Sequence, residues 1–127
     1  MLGAISLCAS AIAAADTAYI TDDGVPGSGP GTVSVIDTGS NTVIKTVTVG
    51  ERPRTVAVNP QTRMVYVTNE GSSSPGSVSV IDGRTNTVVA TIPVNTPFGI
   101  AASGQRVYVA GSSNTVSVIS TTTNTVS

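Results

Sequence analysis

Apolar and polar residues alternate along most of this chain. Val33-Ser34-Val35-Ile36, Val65-Tyr66-Val67-Thr68 and Val78-Ser79-Val80-Ile81 run at or near a period of two, the period of a β-strand. No window carries a helical period bounded by caps. The middle of the chain predicts four strands, at 54–59, 64–69, 77–81 and 88–94. Asn59-Pro60 opens a turn after the first, where proline presets φ. A loop rich in Ser, Gly and Pro follows the second, and Asp82-Gly83-Arg84-Thr85-Asn86 turns the chain after the third.

The pattern repeats. Val33-Ser34-Val35-Ile36-Asp37 recurs as Val78-Ser79-Val80-Ile81-Asp82 and as Val116-Ser117-Val118-Ile119-Ser120. Each copy is followed by an Asn-Thr-Val triplet, at Asn41, Asn86 and Asn124, always 8 residues after the first Val. Each is preceded by a tyrosine strand, at Tyr19, Tyr66 and Tyr108, spaced by 47 and 42 residues. The length variation therefore lies between the tyrosine strand and the next one. Units of about 40–45 residues with four antiparallel strands are the blades of a β-propeller, each too small to bury its apolar face alone. The expected fold is all-β, a partial β-propeller of about two and a half to three four-stranded antiparallel blades. Residues 18–53, 54–96 and 97–127 form the three, within a repeat region of 16–127, and the third is truncated as its outer strand begins.

Tyr66-Val67-Thr68-Asn69, Val78-Ser79-Val80-Ile81-Asp82, the Asn-Thr-Val triplet and Ala90-Thr91-Ile92-Pro93-Val94 resemble the repeat of the YVTN family of β-propeller proteins. The resemblance covers about residues 18–127. It implies blades of a seven-bladed propeller, in a family found in bacterial secreted or periplasmic proteins and in archaeal surface layers. It implies no single activity, because function sits in sites rather than folds.

Strand chemistry orders each blade. Pro93 lies inside the fourth strand and cannot donate to a ladder, so that strand is an edge. Lys45, at the matching place in the preceding repeat, is a common device on exposed edges. Val and Ile are expected between the blades, packed sheet on sheet at about 10 Å.

Composition narrows the function classes. Aromatics are 3% of the chain, and Val, Thr, Ser and Gly dominate, which favours strands and turns. Lys+Arg 6 against Asp+Glu 7 gives a net charge of −1, so no basic field draws nucleic acid or anionic membrane. No apolar run reaches the ~18 residues of a membrane span. Cys8 has no partner for an internal disulfide.

Residues 1–15 are uncharged, small and apolar, and end in Ala13-Ala14-Ala15 before Asp16. They resemble the apolar core and cleavage site of a secretory signal, without its basic start. The alternative is that Ala4 to Ala9 supply the first strand of the first blade.

Candidate sites are few. The chain has no histidine, which removes imidazole catalysis and imidazole metal ligation. No catalytic residue, metal or cofactor is expected. Asp37 and Asp82 share a repeat position that Ser120 fills in the third copy, which favours Asx and Ser turns over a repeated ligand site. Asn41, Asn86 and Asn124 suit the left-handed backbone of such turns. Asp22 and Asp23 are adjacent carboxylates at the start of a Gly- and Pro-rich loop, without the spacing of an EF-hand. Arg52 and Arg54 flank Pro53 in the connection between two blades. They read either as ligand-binding residues on a rim or as solubilising residues paired with Glu51 or Glu70.

Antiparallel order puts the loops 22–31, 51–54, 69–76 and 111–114 on one rim, opposite the turns at 37–41 and 82–86. Repeat proteins usually place binding on such a variable face. The chain thus reads as a non-catalytic, extracytoplasmic propeller module for binding or cell-surface structure, part of a longer propeller. Its partners would be a ligand or protein not named by the sequence, further blades or other copies, with no nucleic acid and no membrane span. The ligand-binding residues would be Arg52, Arg54, Asp22, Asp23 and Glu70. The alternative is part of a propeller-fold enzyme, of lyase or lactonase type, whose catalytic residues lie in other blades.

Overall fold

The structure, a computed structural model, describes residues 11–14, 16–23, 27, 29–72 and 75–127. These form three consecutive four-stranded antiparallel sheets, with no helix among the described residues. The first contains β1 (Ala11–Ala14), β2 (Thr17–Asp22), β3 (Pro30–Asp37) and β4 (Thr42–Glu51). The second contains β5 (Pro53–Asn59), β6 (Met64–Asn69), β7 (Ser77–Asp82) and β8 (Thr87–Pro93). The third contains β9 (Pro97–Ser103), β10 (Arg106–Gly111), β11 (Val116–Ser120) and β12 (Thr125–Val126).

Each sheet is a meander in chain order. The four strands expected in the middle repeat are all there, within a residue or two. Pro93 lies at the end of β8, the sheet edge, opposite Ser77. Lys45 lies on the corresponding edge strand β4. The outer strand of the third sheet is only two residues long, Thr125–Val126.

The inner strand of the first sheet is Ala11–Ala14, which pairs with β2 from Ala11 opposite Ile20 to Ala14 opposite Thr17. The leader-like segment therefore overlaps a paired strand. Its remaining residues, 1–10 and 15, lie outside the described residues, as does the alternative first strand at 4–9.

The sheets stack through Val-rich faces, as the alternation requires. Tyr19, Val33, Val35, Val47 and Val49 of the first sheet pack against Val56, Val58, Val65, Val67 and Ile81 of the second. Tyr66, Val78, Val80, Ile92 and Val94 of the second pack against Val107, Val109 and Ile119 of the third. Both faces of the second sheet are thus core. The inner strands converge, since β5 contacts both β1 and β9.

Two glycines make this close approach possible. Gly31 and Gly76 hold the same repeat position, at the start of the third strand of the first sheet and just before that of the second. A Cβ at Gly31 would collide with Pro53, and one at Gly76 with Pro97 and the Asn69 carbonyl. Each proline opens the inner strand of the next sheet, so the glycine seats one sheet on its neighbour.

Candidate functional site: the loop rim

The connection between the first and second sheets turns at Arg52, whose φ is 52°. Thr96 turns the next connection in the same way, with φ 40°. The residue before a proline is barred from the right-handed helical region, and here it takes the left-handed one. The Glu70 and Gly71 amides donate to the carbonyls of Arg52 and Glu51, both at 3.0 Å. The loop after β6 is therefore tied across to the inter-sheet connection. At the next joint the Ser112 amide donates to the Thr96 carbonyl at 3.3 Å.

Arg52 and Arg54 converge on one oxygen. Arg52 Nη2 lies 3.1 Å from Glu70 Oε2. Arg54 Nε donates to the same oxygen at 2.6 Å, and Arg54 Nη2 adds a second, close contact. The Arg54–Glu70 pair is the better shielded of the two, so it is less screened than an open surface pair. Glu51 turns the other way and accepts the Ser72 hydroxyl and, at 3.2 Å, the Ser72 amide. These bonds, the hydroxyl first, hold the Glu51 carboxyl below the usual carboxylate range.

Asp22 and Asp23 lie on the same rim, where the Asp22 carbonyl and Pro53 both close over Gly31. Asp22 is exposed and Asp23 buried. The structure therefore joins Arg52, Arg54 and Glu70 in one cluster. Among the described residues no group of three or more His, Cys, Asp or Glu could hold a metal ion.

A cavity of about 380 Å³ that sequence reasoning missed lies next to this cluster, lined by Arg54, Thr55, Phe98 and Gly99. Phe98 occupies the repeat position of Arg54, and that substitution is the signal that could have found it. Threonine hydroxyls bond the Phe98 backbone beside the cavity. Thr55 Oγ1 and Thr68 Oγ1 both donate to the Phe98 carbonyl, at 2.6 and 3.1 Å. Thr21 Oγ1 makes the matching bond to the Arg54 carbonyl at 3.2 Å.

The opposite rim is made of turns whose polar groups bond within the turn or to a neighbouring turn. Asp37 Oδ1 accepts the Gly39 and Ser40 amides at 2.8 and 3.0 Å, and Asp82 Oδ1 accepts the Arg84 amide at 2.8 Å. Those amides lower the Asp37 carboxyl below its ordinary range. Asn41, Asn86 and Asn124 sit at φ of 54°, 53° and 54°. Arg84 reaches Asp82 and the Thr62 carbonyl, on the rim away from Arg52. The sequence-based division into two faces therefore agrees with the coordinates.

No protein-family model matches the chain, and no curated protein sequence matches it. Solved structures do. A chain of Kuenenia stuttgartiensis hydrazine synthase superposes with a TM-score of 0.77 and 30% identity, over 88% of this chain and 31% of that one. AztD from Citrobacter koseri superposes with TM-scores of 0.65 in its apo form and 0.66 in a second structure. Identity there is 14% in both, over 99% of this chain and 47% and 48% of AztD. The chain thus spans less than half the length of these matches. The likeness is one of fold, a β-propeller-like all-β arrangement.

Proposed function

We propose that the chain is a non-catalytic β-propeller module of the YVTN kind, working outside the cytoplasm in binding or surface structure. It supplies three blades of a larger propeller. The observation that carries the reading is the asymmetry of the two rims. One holds the turns between third and fourth strands, which keep their length, and the turns between first and second strands. The other holds the connections between second and third strands, the Arg52–Arg54–Glu70 cluster and the cavity beside Phe98. Variable loops on a rigid repeat scaffold are the usual place for recognition. Because Glu70 already occupies both guanidinium groups, an acidic ligand would bind by replacing it, with its apolar part against Phe98. Asp22 and Asp23 border the same surface. The leader-like composition of residues 1–15 supports export, and fractionation of cells expressing the natural gene tests it.

Calorimetric titration with citrate, inorganic phosphate and a polyglutamate peptide tests the rim. Arg52→Ala and Arg54→Ala should weaken whichever probe binds, while Arg84→Ala should leave it unchanged. Equal loss from Arg84→Ala overturns the assignment.

The likeness to hydrazine synthase, at 30% identity, favours a second reading. In it, these blades are part of a propeller-fold enzyme whose catalytic residues lie in other blades. The chain has no histidine, so an imidazole acid or base of such an enzyme would have to come from other blades. Activity retained by the complete gene product after Arg52→Ala and Arg54→Ala would support that second reading.

A further inference from the structure

The inner strands β5 and β9 carry the same irregularity near their starts. From Pro53 to Val56, β5 advances three residues while its partner β6 moves only two, from Asn69 to Val67. In β9, Phe98 is the extra residue between Pro97, opposite Gly111, and Gly99, opposite Ala110. Each is a β-bulge, which takes a residue out of the ladder and re-aims its side chain. The bulged residues, Arg54 with Thr55 and Phe98, line one cavity together with Gly99. That cavity belongs to the joint between the second and third sheets, which the chain closes by itself.

The walls differ in chemistry. Arg54 presents a guanidinium held by Glu70 through Nε and Nη2. Phe98, the single phenylalanine of the chain, presents a ring. Its carbonyl accepts the Thr55 and Thr68 hydroxyls, so the backbone that carries the ring is ordered before a ligand arrives. Gly99 leaves space above it, since a Cβ there would meet only Ala110, at 3.7 Å. A volume of about 380 Å³ is at the small end for ligand sites and suits one or two rings. A guanidinium and a phenyl ring on one cavity favour an aromatic occupant over an aliphatic one of equal size, through cation–π attraction and ring–ring contact.

Charge sets the other end of the ligand. Arg52 and Arg54 share the Glu70 carboxylate, while Glu51 is turned to Ser72. Two cations against one anion leave the cluster with a surplus positive charge. Arg52 is the looser partner, with one contact at 3.1 Å and the more exposed side chain.

We propose that the cavity beside Phe98 binds a small aromatic carboxylate of one or two rings. The ring lies against Phe98 and the Arg54 guanidinium. The carboxylate takes the place of Glu70 on Arg52 and leaves the Arg54–Glu70 pair intact. The assignment rests on the acidic-ligand reading of the rim and adds the aromatic class of the ligand.

Calorimetric titration of the full chain with 2-naphthoate tests it. Cyclohexanecarboxylate keeps the charge without the aromatic ring, and 2-naphthamide keeps the ring without the charge. Naphthoate should bind at least about tenfold more tightly than either. Phe98→Leu, which stays apolar, should remove the advantage over cyclohexanecarboxylate. Arg52→Ala should remove the advantage over naphthamide. Arg84→Ala, on the opposite rim, should bind like the wild type. Circular dichroism confirms folding of each variant. Ring-proton signals of the single phenylalanine give a direct reading in the wild type, and naphthoate should shift them. Signals unmoved at saturating naphthoate overturn the proposal, even if Phe98→Leu fails to fold. Equal affinity for naphthoate and cyclohexanecarboxylate, or naphthoate binding unchanged in Phe98→Leu, overturns the aromatic class and leaves the acidic-ligand reading standing. Equal affinity for naphthoate and naphthamide, unchanged in Arg52→Ala, overturns the acidic-ligand reading and the proposal with it. No binding of naphthoate up to millimolar concentration overturns the proposal, and binding of citrate by the same sample would leave the acidic-ligand reading in place.

Discussion

The second and third sheets have nearly the same sequence pattern and very different environments. Val78-Ser79-Val80-Ile81 and Val116-Ser117-Val118-Ile119 are almost identical blocks. In the second sheet both faces are covered, and Val78, Val80 and Ile81 are buried. In the third only Ile119 is, because it faces back into the stack. The same alternation that builds core in the middle of an array leaves an apolar surface at its end. Burial in a repeat protein is a property of neighbours rather than of the repeat.

Substituting matched positions breaks this comparison most sharply. Val78→Asp puts a carboxylate among the buried valines and isoleucines of the second joint. It should cost at least about 4 kcal/mol and leave little folded protein. Val116→Asp, at the same repeat position, should change monomer stability by no more than about 0.5 kcal/mol. Denaturant titration of both at a concentration where the chain is monomeric measures the contrast. Equal losses would mean that Val116 is covered within the monomer.

Glycine substitutions come next. Gly76→Ala forces a Cβ against Pro97 and the Asn69 backbone, neither of which can swing aside. It should cost about 1–3 kcal/mol, the usual range for overpacking. Gly104→Ala meets no neighbour but sits at φ 56°, so it should cost only about 1 kcal/mol of backbone strain. Melting curves of the two variants order them.

Much of this was legible in the sequence, for a physical reason. Strand alternation and the repeated Val-Ser-Val-Ile block report local geometry and one buried face. They located all four strands of the middle repeat and the division of connections between two rims. Asn41, Asn86 and Asn124 were readable because a left-handed turn accepts few residue types. What escaped depends on contacts between repeats. Phe98 beside Arg54 is such a contact, since the two come from equivalent positions in successive sheets. The convergence of Arg52 and Arg54 on Glu70 was readable only as one of two pairings. The strand at Ala11–Ala14 was masked by its composition, because alanines that pair as an inner strand also fit an export leader.

Alkaline pH separates the sealed joints from the free face in another way. Burial raises the Tyr66 phenol above its ordinary 10.0. Burial first, then the Asp82 charge, raises that of Tyr19. Both are therefore neutral in the fold at a pH where the unfolded chain already ionises. Stability from this source is whole below about pH 10 and falls as pH rises beyond it. Urea titrations from neutral pH upward should show a midpoint that is flat and then declines. Tyr66→Phe should make the decline shallower, and an unchanged slope would count against the buried phenol as its source.

The smallest expected difference lies between the two buried tyrosines themselves. Both fill the joint with the following sheet, but their hydroxyls fare differently. Tyr19 donates to Asn86 Oδ1, across a turn where a Cβ at Gly83 would press on the hydroxyl. The Tyr66 hydroxyl is buried without a hydrogen bond to the described residues. Thr121 stands at the repeat position of Gly83 in the following turn. Removing a hydroxyl that has a partner leaves Asn86 short of a donor, so Tyr19→Phe should lose about 1 kcal/mol. Removing one without a partner relieves a desolvation cost, so Tyr66→Phe should be neutral or stabilising by up to about 1 kcal/mol. In the Tyr66→Phe background, Thr121→Gly should bring no gain. With Tyr66 intact, the same substitution should raise the denaturation midpoint if the threonine is what keeps the hydroxyl from Asn124. A gain that persists without the hydroxyl would assign the effect to the turn alone.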